Sequence, residues 1–155
     1  MKLAELLEKT EYEVRQGSTD REVKGLAYDS RKVSEGFAFV CISGSMQDGH
    51  DFIPEVVKKG AKVLVVQKEV EAPEDVTVIR VKNTRLALAL MSAAWFDYPA
   101  EKLKVIGITG TKGKTTTTYM VKSILEEVGI RVGLIGTIEA IIGDKSIPAN
   151  NTTPE

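Results

Sequence analysis

This 155-residue chain has one cysteine, one histidine, one tryptophan, almost no net charge and no long apolar run, and each scarcity closes off a class of function. Cys41 has no partner for an internal disulfide. It stands in the apolar run Phe39-Val40-Cys41-Ile42 with no histidine near it, so a small buried side chain is expected rather than a catalytic thiol. His50, the lone histidine, offers neither a metal cluster nor a paired nucleophile. With 21 basic and 22 acidic residues the net charge is -1, which provides no broad surface for polyanions, and no nucleic-acid partner is expected. No apolar stretch approaches the roughly 20 residues that cross a bilayer, and the opening MKLAELLEKTEYEV lacks the long apolar core of a signal peptide. No membrane partner and a cytoplasmic location are therefore expected. The 43% hydrophobic and 28% charged content is that of a soluble globular protein, without internal repeats or low-complexity tracts.

The patterning that remains is of the α/β class. Leu3, Leu6 and Leu7 predict a short amphipathic helix, and an alternating stretch runs through Val23, Leu26 and Tyr28. Residues 37–42 read as a buried strand. Residues 51–59 read as a helix with Phe52, Ile53, Val56 and Val57 inward, Asp51 at its N-cap and Gly60 at its end. Two β-branched runs, 61–66 and 76–81, flank an acidic turn containing Pro73, and Asn83 caps a long apolar helix through Leu86, Leu90 and Trp95. Residues 1–99, with about four strands and three helices, are long enough to bury a core of their own.

A boundary is expected near residues 99–104. Beyond it an apolar run, 103–108, reads as a strand, followed by a helix with Met120, Val121, Ile124, Leu125 and Val128 inward. A further strand over 131–138 and a hairpin turning at Gly143-Asp144 complete the pattern. One βαβ unit and a hairpin over 104–155 cannot cover both faces of a parallel sheet, so this block is expected to be the first part of a longer, truncated domain.

Between that strand and helix lies Gly107-Ile108-Thr109-Gly110-Thr111-Lys112-Gly113-Lys114-Thr115-Thr116. Strand, glycine loop, lysine-threonine and helix in this order form a phosphate cradle: main-chain N–H groups converge and the helix adds its positive dipole end. Lys114 supplies a mobile charge for the outer phosphates, and the Thr115 hydroxyl suits Mg²⁺. Ile108 stands where the general GxxxxGKS/T pattern has its first glycine. The competing reading is a glycine turn joining a strand to a helix that begins with lysine.

Three further segments offer polar groups. Tyr28-Asp29-Ser30-Arg31-Lys32-Val33 presents a hydroxyl and a guanidinium fork to a ligand, or forms a turn in which Asp29 or Ser30 bonds local backbone. Gly44-Ser45-Met46-Gln47-Asp48-Gly49-His50-Asp51 is a polar loop in which His50 contacts a ligand or steadies the loop. Asn151, Thr152 and Thr153 fall after the second strand of the βαβ unit, on the side of the sheet where open α/β folds bind ligands.

DSRKV, DGHDFI, GITGTKGKTTTTYM, GLIGTI and NNTTPE, in this order and spacing, resemble the Mur ligases of peptidoglycan synthesis, most closely the MurE branch. The resemblance implies an amino-terminal mixed α/β domain, 1–99, that holds the UDP part of UDP-N-acetylmuramoyl-L-alanyl-D-glutamate at Ser30, with Arg31 and His50 alongside. It implies a central P-loop parallel-sheet ATPase domain, begun at 104–155. ATP would bind at Gly110, Thr111, Lys112, Gly113, Lys114, Thr115 and Thr116, with Lys114 catalytic, Thr115 on Mg²⁺, and substrate at Asn151, Thr152 and Thr153. The implied reaction is ATP-dependent amide formation through an acyl phosphate, with a free diamino acid, meso-diaminopimelate or L-lysine, as the amine. The family's carbamylated lysine, further metal ligands and amino-acid-selecting motif would lie past Glu155, so this stretch alone is not expected to turn over. The full-length form is expected to be a monomer. Two departures are mild: Lys112 where asparagine is common, and Phe37-Ala38 where aspartate-leucine is common. Against this stand another Mur-type or folylpolyglutamate-type ligase, a P-loop switch or kinase, and a UDP-sugar binding module without activity.

Overall fold

The computed structural model describes residues 1–44 and 47–149, and the chain divides into two compact units that meet in sequence between Leu103 and Lys104. In the first unit the elements are α1 (Leu3–Leu6), β1 (Tyr12–Gln16), β2 (Gly25–Ala27), β3 (Phe37–Val40), α2 (Ile53–Lys58), β4 (Val63–Val66), β5 (Thr77–Val81) and α3 (Thr84–Trp95). The strands form one sheet in the order β1-β5-β4-β3-β2. Neighbours from β2 to β5 are parallel and β1 pairs antiparallel with β5.

Alternation along the parallel strands splits the core into two layers. Ala38 and Val40, Val63 and Val65, and Ile79 and Val81 point to the side covered by α1 and α3, where Leu3, Leu6, Leu7, Ala87 and Met91 meet them. Phe39 and Cys41, Leu64 and Val66, and Val78 point to the other side, against Ile53 and Val56 of α2. Both faces are covered, which is what near-continuous apolar strands require. Each such fully buried aliphatic or aromatic side chain contributes about 1.5–3 kcal/mol of transfer free energy, so the first unit has the core that its length anticipates.

The caps at the helix ends follow the sequence signals. The Asn83 side chain accepts the Leu86 N–H at 3.1 Å, and Gly60 takes the left-handed conformation after α2. Two readings need correction, and one strand goes unsignalled. Strand β1 was not anticipated: Tyr12 and Val14 are each about two-fifths exposed on this edge strand, so no buried face marks it. Asp51 is not a cap, because the helix is preceded by a 3-10 turn, Gly49–Phe52, whose N-cap is Asp48. On α3 the buried stripe is Thr84, Ala87, Leu88, Met91 and Ala94, which leaves Leu86 57% exposed.

In the second unit, α4 (Lys114–Glu127) precedes a three-stranded antiparallel sheet of β6 (Leu134–Ile135), β7 (Glu139–Ile142) and β8 (Lys145–Pro148), in that order. The hairpin turns at Gly143-Asp144, as its sequence implies, with Ile142 paired to Lys145. The strand expected over 103–108 does not form, because a strand needs a ladder partner and none among the described residues pairs with that run. The strand expected over 131–138 shrinks to Leu134–Ile135. Nor does α4 bury its apolar face: Met120, Ile124 and Val128 are 60–68% exposed, while Val121 and Leu125 are half-buried.

Candidate functional site

The second unit builds the candidate loop from local geometry. Gly110 and Gly113 have φ of 149° and 76°, values that side chains with a Cβ rarely adopt, so the two glycines let the chain curl back before α4 begins. Gly113 is the N-cap residue of α4, and no side chain caps it. The first helical hydrogen bond is Thr117 N–H to the Gly113 carbonyl at 2.9 Å, which leaves the N–H groups of Gly113, Lys114, Thr115 and Thr116 without an intrahelical acceptor. These donors and the helix dipole face the loop.

Lys114 folds back over the same loop, its Nζ donating to the Gly110 carbonyl at 2.6 Å. Lys114 and Thr115 are half-buried, and Thr111, Lys112 and Thr116 are exposed. The Thr118 hydroxyl is spent on the Lys114 and Thr115 carbonyls, consistent with an ordinary helical role. A shallow groove continues from Thr115 and Thr116 along Tyr119 and Ser123 to Ile138. The arrangement suits a polyphosphate: a ring of neutral donors, one mobile cation, and a half-buried hydroxyl on the second helical residue where a divalent cation would find an oxygen ligand. Among the described residues no group of three or more His, Cys, Asp or Glu side chains is placed to hold a metal.

In the first unit the candidate residues gather at the carboxyl ends of the parallel strands, the edge where open α/β sheets hold ligands. After β2, Asp29 accepts the Arg31 main-chain N–H at 3.0 Å and grips its guanidinium through Nε at 2.9 Å and Nη2 at 2.8 Å. The Arg31 fork, aided by that N–H, holds the Asp29 carboxyl at about 2. The Asp29 turn is thus formed, while the Arg31 side chain stays 85% exposed. Ser30 is half-buried, and its carbonyl accepts from Lys59 Nζ at 2.9 Å.

After β3, His50 is buried and both its ring nitrogens are engaged. Nε2 accepts the Gln67 N–H at 3.2 Å, so the network assigns the proton to Nδ1, which donates to Asp48 at 2.5 Å. His50 is therefore a clasp within the loop, the second of the two readings that its sequence leaves open. Gln67 passes the connection on, its Oε1 accepting the hydroxyl of the fully buried Thr84 at 2.7 Å. This chain from Asp48 through His50 and Gln67 to Thr84 joins the ends of β3 and β4 to the start of α3. No spacing signals it, because its His50–Gln67 and Gln67–Thr84 links each span 17 residues. Burial pushes the Cys41 thiol up to about 12, with the Asp48 charge adding to the effect, so the cysteine is structural as expected.

Lys68 Nζ, at 2.8 Å, and then the main-chain and ring N–H groups of His50 hold the Asp48 carboxyl well below its ordinary 3.8. A carboxyl whose folded pKa is depressed stabilises the fold fully above its unfolded value and loses that contribution as pH falls through the folded one. The first unit should therefore lose stability as pH drops below about 4. Asp48→Asn should lower the neutral-pH melting temperature and flatten the decline between about pH 4 and pH 2; parallel melting profiles for the two proteins would contradict this. Asn151, Thr152 and Thr153 lie outside the described residues.

A model of the Mur ligase family catalytic domain matches residues 22–96, and a model of the Mur ligase middle domain matches residues 108–155. Over its whole length the chain is 52% identical to the UDP-N-acetylmuramoyl-L-alanyl-D-glutamate--2,6-diaminopimelate ligase of Clostridium perfringens, of which it covers 32%. Among solved structures, a UDP-N-acetylmuramoyl-L-alanyl-D-glutamate--2,6-diaminopimelate ligase superposes with a TM-score of 0.72 over 97% of this chain and 30% of that one. At 20% identity this likeness speaks for the fold. The MurF ligase of Thermotoga maritima, solved in complex with ADP, matches with a TM-score of 0.53 and 27% identity over 68% of this chain and 24% of its own. The chain spans about a third of the length of the curated relatives it matches. With two Mur ligase domain models aligned in tandem over most of its length, and a glycine-lysine loop where the second begins, the chain belongs to the Mur ligase family.

Proposed function

We propose that this chain supplies the UDP-substrate-binding domain, 1–99, and the opening of the ATP-binding domain, from 104, of a MurE-type ligase of peptidoglycan precursor synthesis. The reaction joins a free diamino acid, meso-diaminopimelate or L-lysine, to UDP-N-acetylmuramoyl-L-alanyl-D-glutamate. A carboxylate oxygen of the D-glutamyl residue attacks the γ-phosphorus of ATP, ADP leaves, and the amine then displaces phosphate from the acyl phosphate. The observation that carries this reading is the uncapped start of α4, with four N–H groups that have no intrahelical acceptor and the returning Lys114 ammonium over one glycine loop.

Carboxylate and triphosphate repel each other, so their charge must be neutralised before they meet. Main-chain N–H groups of 113–116 take up phosphate oxygens, and Lys114 exchanges the Gly110 carbonyl for the outer phosphates. Mg²⁺, when bound with the nucleotide at the Thr115 hydroxyl, would supply further charge neutralisation. Ser30, at the end of β2, offers its hydroxyl to the UDP moiety with Arg31 beside it, and Asn151, Thr152 and Thr153 are assigned to the rest of that substrate. The ADP bound to the T. maritima relative supports an adenine nucleotide. No described helix is long and apolar enough to cross a membrane, and a cytoplasmic monomer without nucleic-acid or membrane partners completes the proposal.

Calorimetry on the Ser30→Ala variant tests the assignment of the first unit. Affinity for UDP-N-acetylmuramoyl-dipeptide should fall about tenfold, the worth of one hydrogen bond to a charged or polar group, with MgATP unaffected. Equal losses for both ligands, or none, would count against a uridine site at Ser30. A P-loop switch or kinase would bind nucleotide and ignore the UDP-sugar altogether.

A further inference from the structure

Helix α3 is followed by two consecutive residues with left-handed backbone, Asp97 with φ 57° and Tyr98 with φ 50°, and neither is glycine. The Asp97 N–H donates to the Ala94 carbonyl at 3.0 Å and the Tyr98 N–H to the Ala93 carbonyl at 2.7 Å, the paired bonds that turn a chain off a helix end. A residue with a Cβ is strained in this conformation, a bulky tyrosine more than an aspartate, so the surroundings must hold it there. The Tyr98 ring packs against the core layer that α1 and α3 cover. Lys9, just past α1, sets its ammonium 3.8 Å from the centre of that ring and 2.7 Å from the Glu101 carboxylate. Asp97 pairs with Lys102, and the Glu101 N–H returns to the Tyr98 carbonyl at 3.0 Å within the 3-10 turn Pro99–Lys102. An exposed ion pair alone is worth little, but here the same ammonium also lies over a ring seated on the core. The Tyr98 hydroxyl is buried without a hydrogen-bond partner among the described residues, so the ring and not the hydroxyl does the holding. These ties stop at Leu103, which is 67% exposed. Residues 104–110 take no regular secondary structure, and no main-chain hydrogen bond among the described residues reaches 103–110.

We propose that residues 97–102 form a strap, pinned to the first unit by the Tyr98 ring and clamped by Lys9, and that the joint between the two units begins only after it, at Leu103. The strain at Asp97 and Tyr98 comes from folding the chain back onto the unit it is leaving, since a helix end followed by a free linker needs no left-handed tyrosine. Any reorientation of the second unit against the first then turns about residues between the strap and the glycine loop, and not about the end of α3. This inference goes beyond the ligase reading and does not depend on it.

Limited chymotrypsin digestion of the 155-residue chain reads strap and joint separately, because the Phe96–Asp97 bond opens the first and the Leu103–Lys104 bond marks the second. Cleavage after Phe96 should be slow although that side chain lies on the surface, 70% exposed, and cleavage after Leu103 about tenfold faster or more. Tyr98→Ala should speed cleavage after Phe96 by about tenfold and leave cleavage after Leu103 within about twofold. Tyr98→Phe, which gives up only an unpartnered hydroxyl, should behave as the unaltered chain. Because Tyr98→Ala also opens the core, Lys9→Ala provides the second variant: its side chain is 46% exposed, so the first unit should keep its fold by circular dichroism while cleavage after Phe96 rises several-fold. Hydrogen exchange at the Tyr98 and Glu101 amides should follow the same order. Equal cleavage at the two bonds in the unaltered chain, or a rate after Phe96 that Lys9→Ala leaves unchanged, would overturn the proposal.

Discussion

Lys114→Ala should abolish ligation in the full-length enzyme and weaken binding of MgADP and MgATP to this chain at least a hundredfold, with the first unit unaffected. Among the described residues the ammonium donates to the Gly110 carbonyl 2.6 Å away, a contact to be given up when phosphates arrive. Hydrogen bonds to charged groups are worth about 1.5–3 kcal/mol each, so losing contacts to two phosphate oxygens gives roughly 3–6 kcal/mol, or about two to four powers of ten. The helix should survive, because alanine is the best helix former and Lys114 is only half-buried. Calorimetry with circular dichroism separates the two effects. Full nucleotide affinity in this variant would reduce the loop to a structural turn.

Gly49→Ala should be among the most damaging single substitutions in the first unit. A Cβ on Gly49 would lie 2.6 Å from the Ile42 nitrogen, 2.8 Å from its oxygen and 3.1 Å from the Cys41 carbonyl carbon. All three are backbone atoms at the end of a central strand, so no side chain can swing aside. The turn must retreat instead, which breaks the 2.8 Å bond from Gly49 N–H to the Ile42 carbonyl and pulls His50 from Gln67. Overpacking of about 1–3 kcal/mol and a lost hydrogen bond of about 0.5–1.5 kcal/mol add to roughly 2–4 kcal/mol. In a unit of this size that corresponds to a melting temperature lower by about 10 °C or more. An unchanged melting temperature would show instead that the loop is free to open.

What could be read in advance was whatever local chemistry decides. The apolar run of β3, the β-branched runs of β4 and β5, the Asn83 cap and the Gly143-Asp144 turn each depend on residues a few positions apart, and each took the expected form. The rest was decided by distant partners. Asp48 displaces Asp51 as the cap because Lys68 and Gln67 arrive from the end of β4 to complete its network. β1 exists because β5 offers it a ladder, and its own two-fifths-exposed Tyr12 and Val14 mark no inward face. Conversely, residues 103–108 have the composition of a strand and no ladder among the described residues, so apolar content alone does not produce one. The same holds for α4, whose amphipathic pattern specifies a helix but not a cover for Met120, Ile124 and Val128. At the candidate site, the string around Lys114 was visible because a phosphate loop is local. The ties from Glu139 to Tyr119 and Ser146 and from His50 to Gln67 were invisible because they cross elements.

The account rests on main-chain N–H groups and one ammonium converging on a polyphosphate, and the direct measurement is a titration of MgADP into the isotopically labelled chain, read at each backbone amide. Shifts should be largest at residues 110–116 and small in the sheet of the first unit, and AMP, with a single phosphate, should reproduce them only at far higher concentration. Shifts centred elsewhere, or AMP equal to MgADP, would mean that the loop before α4 does not hold the phosphates.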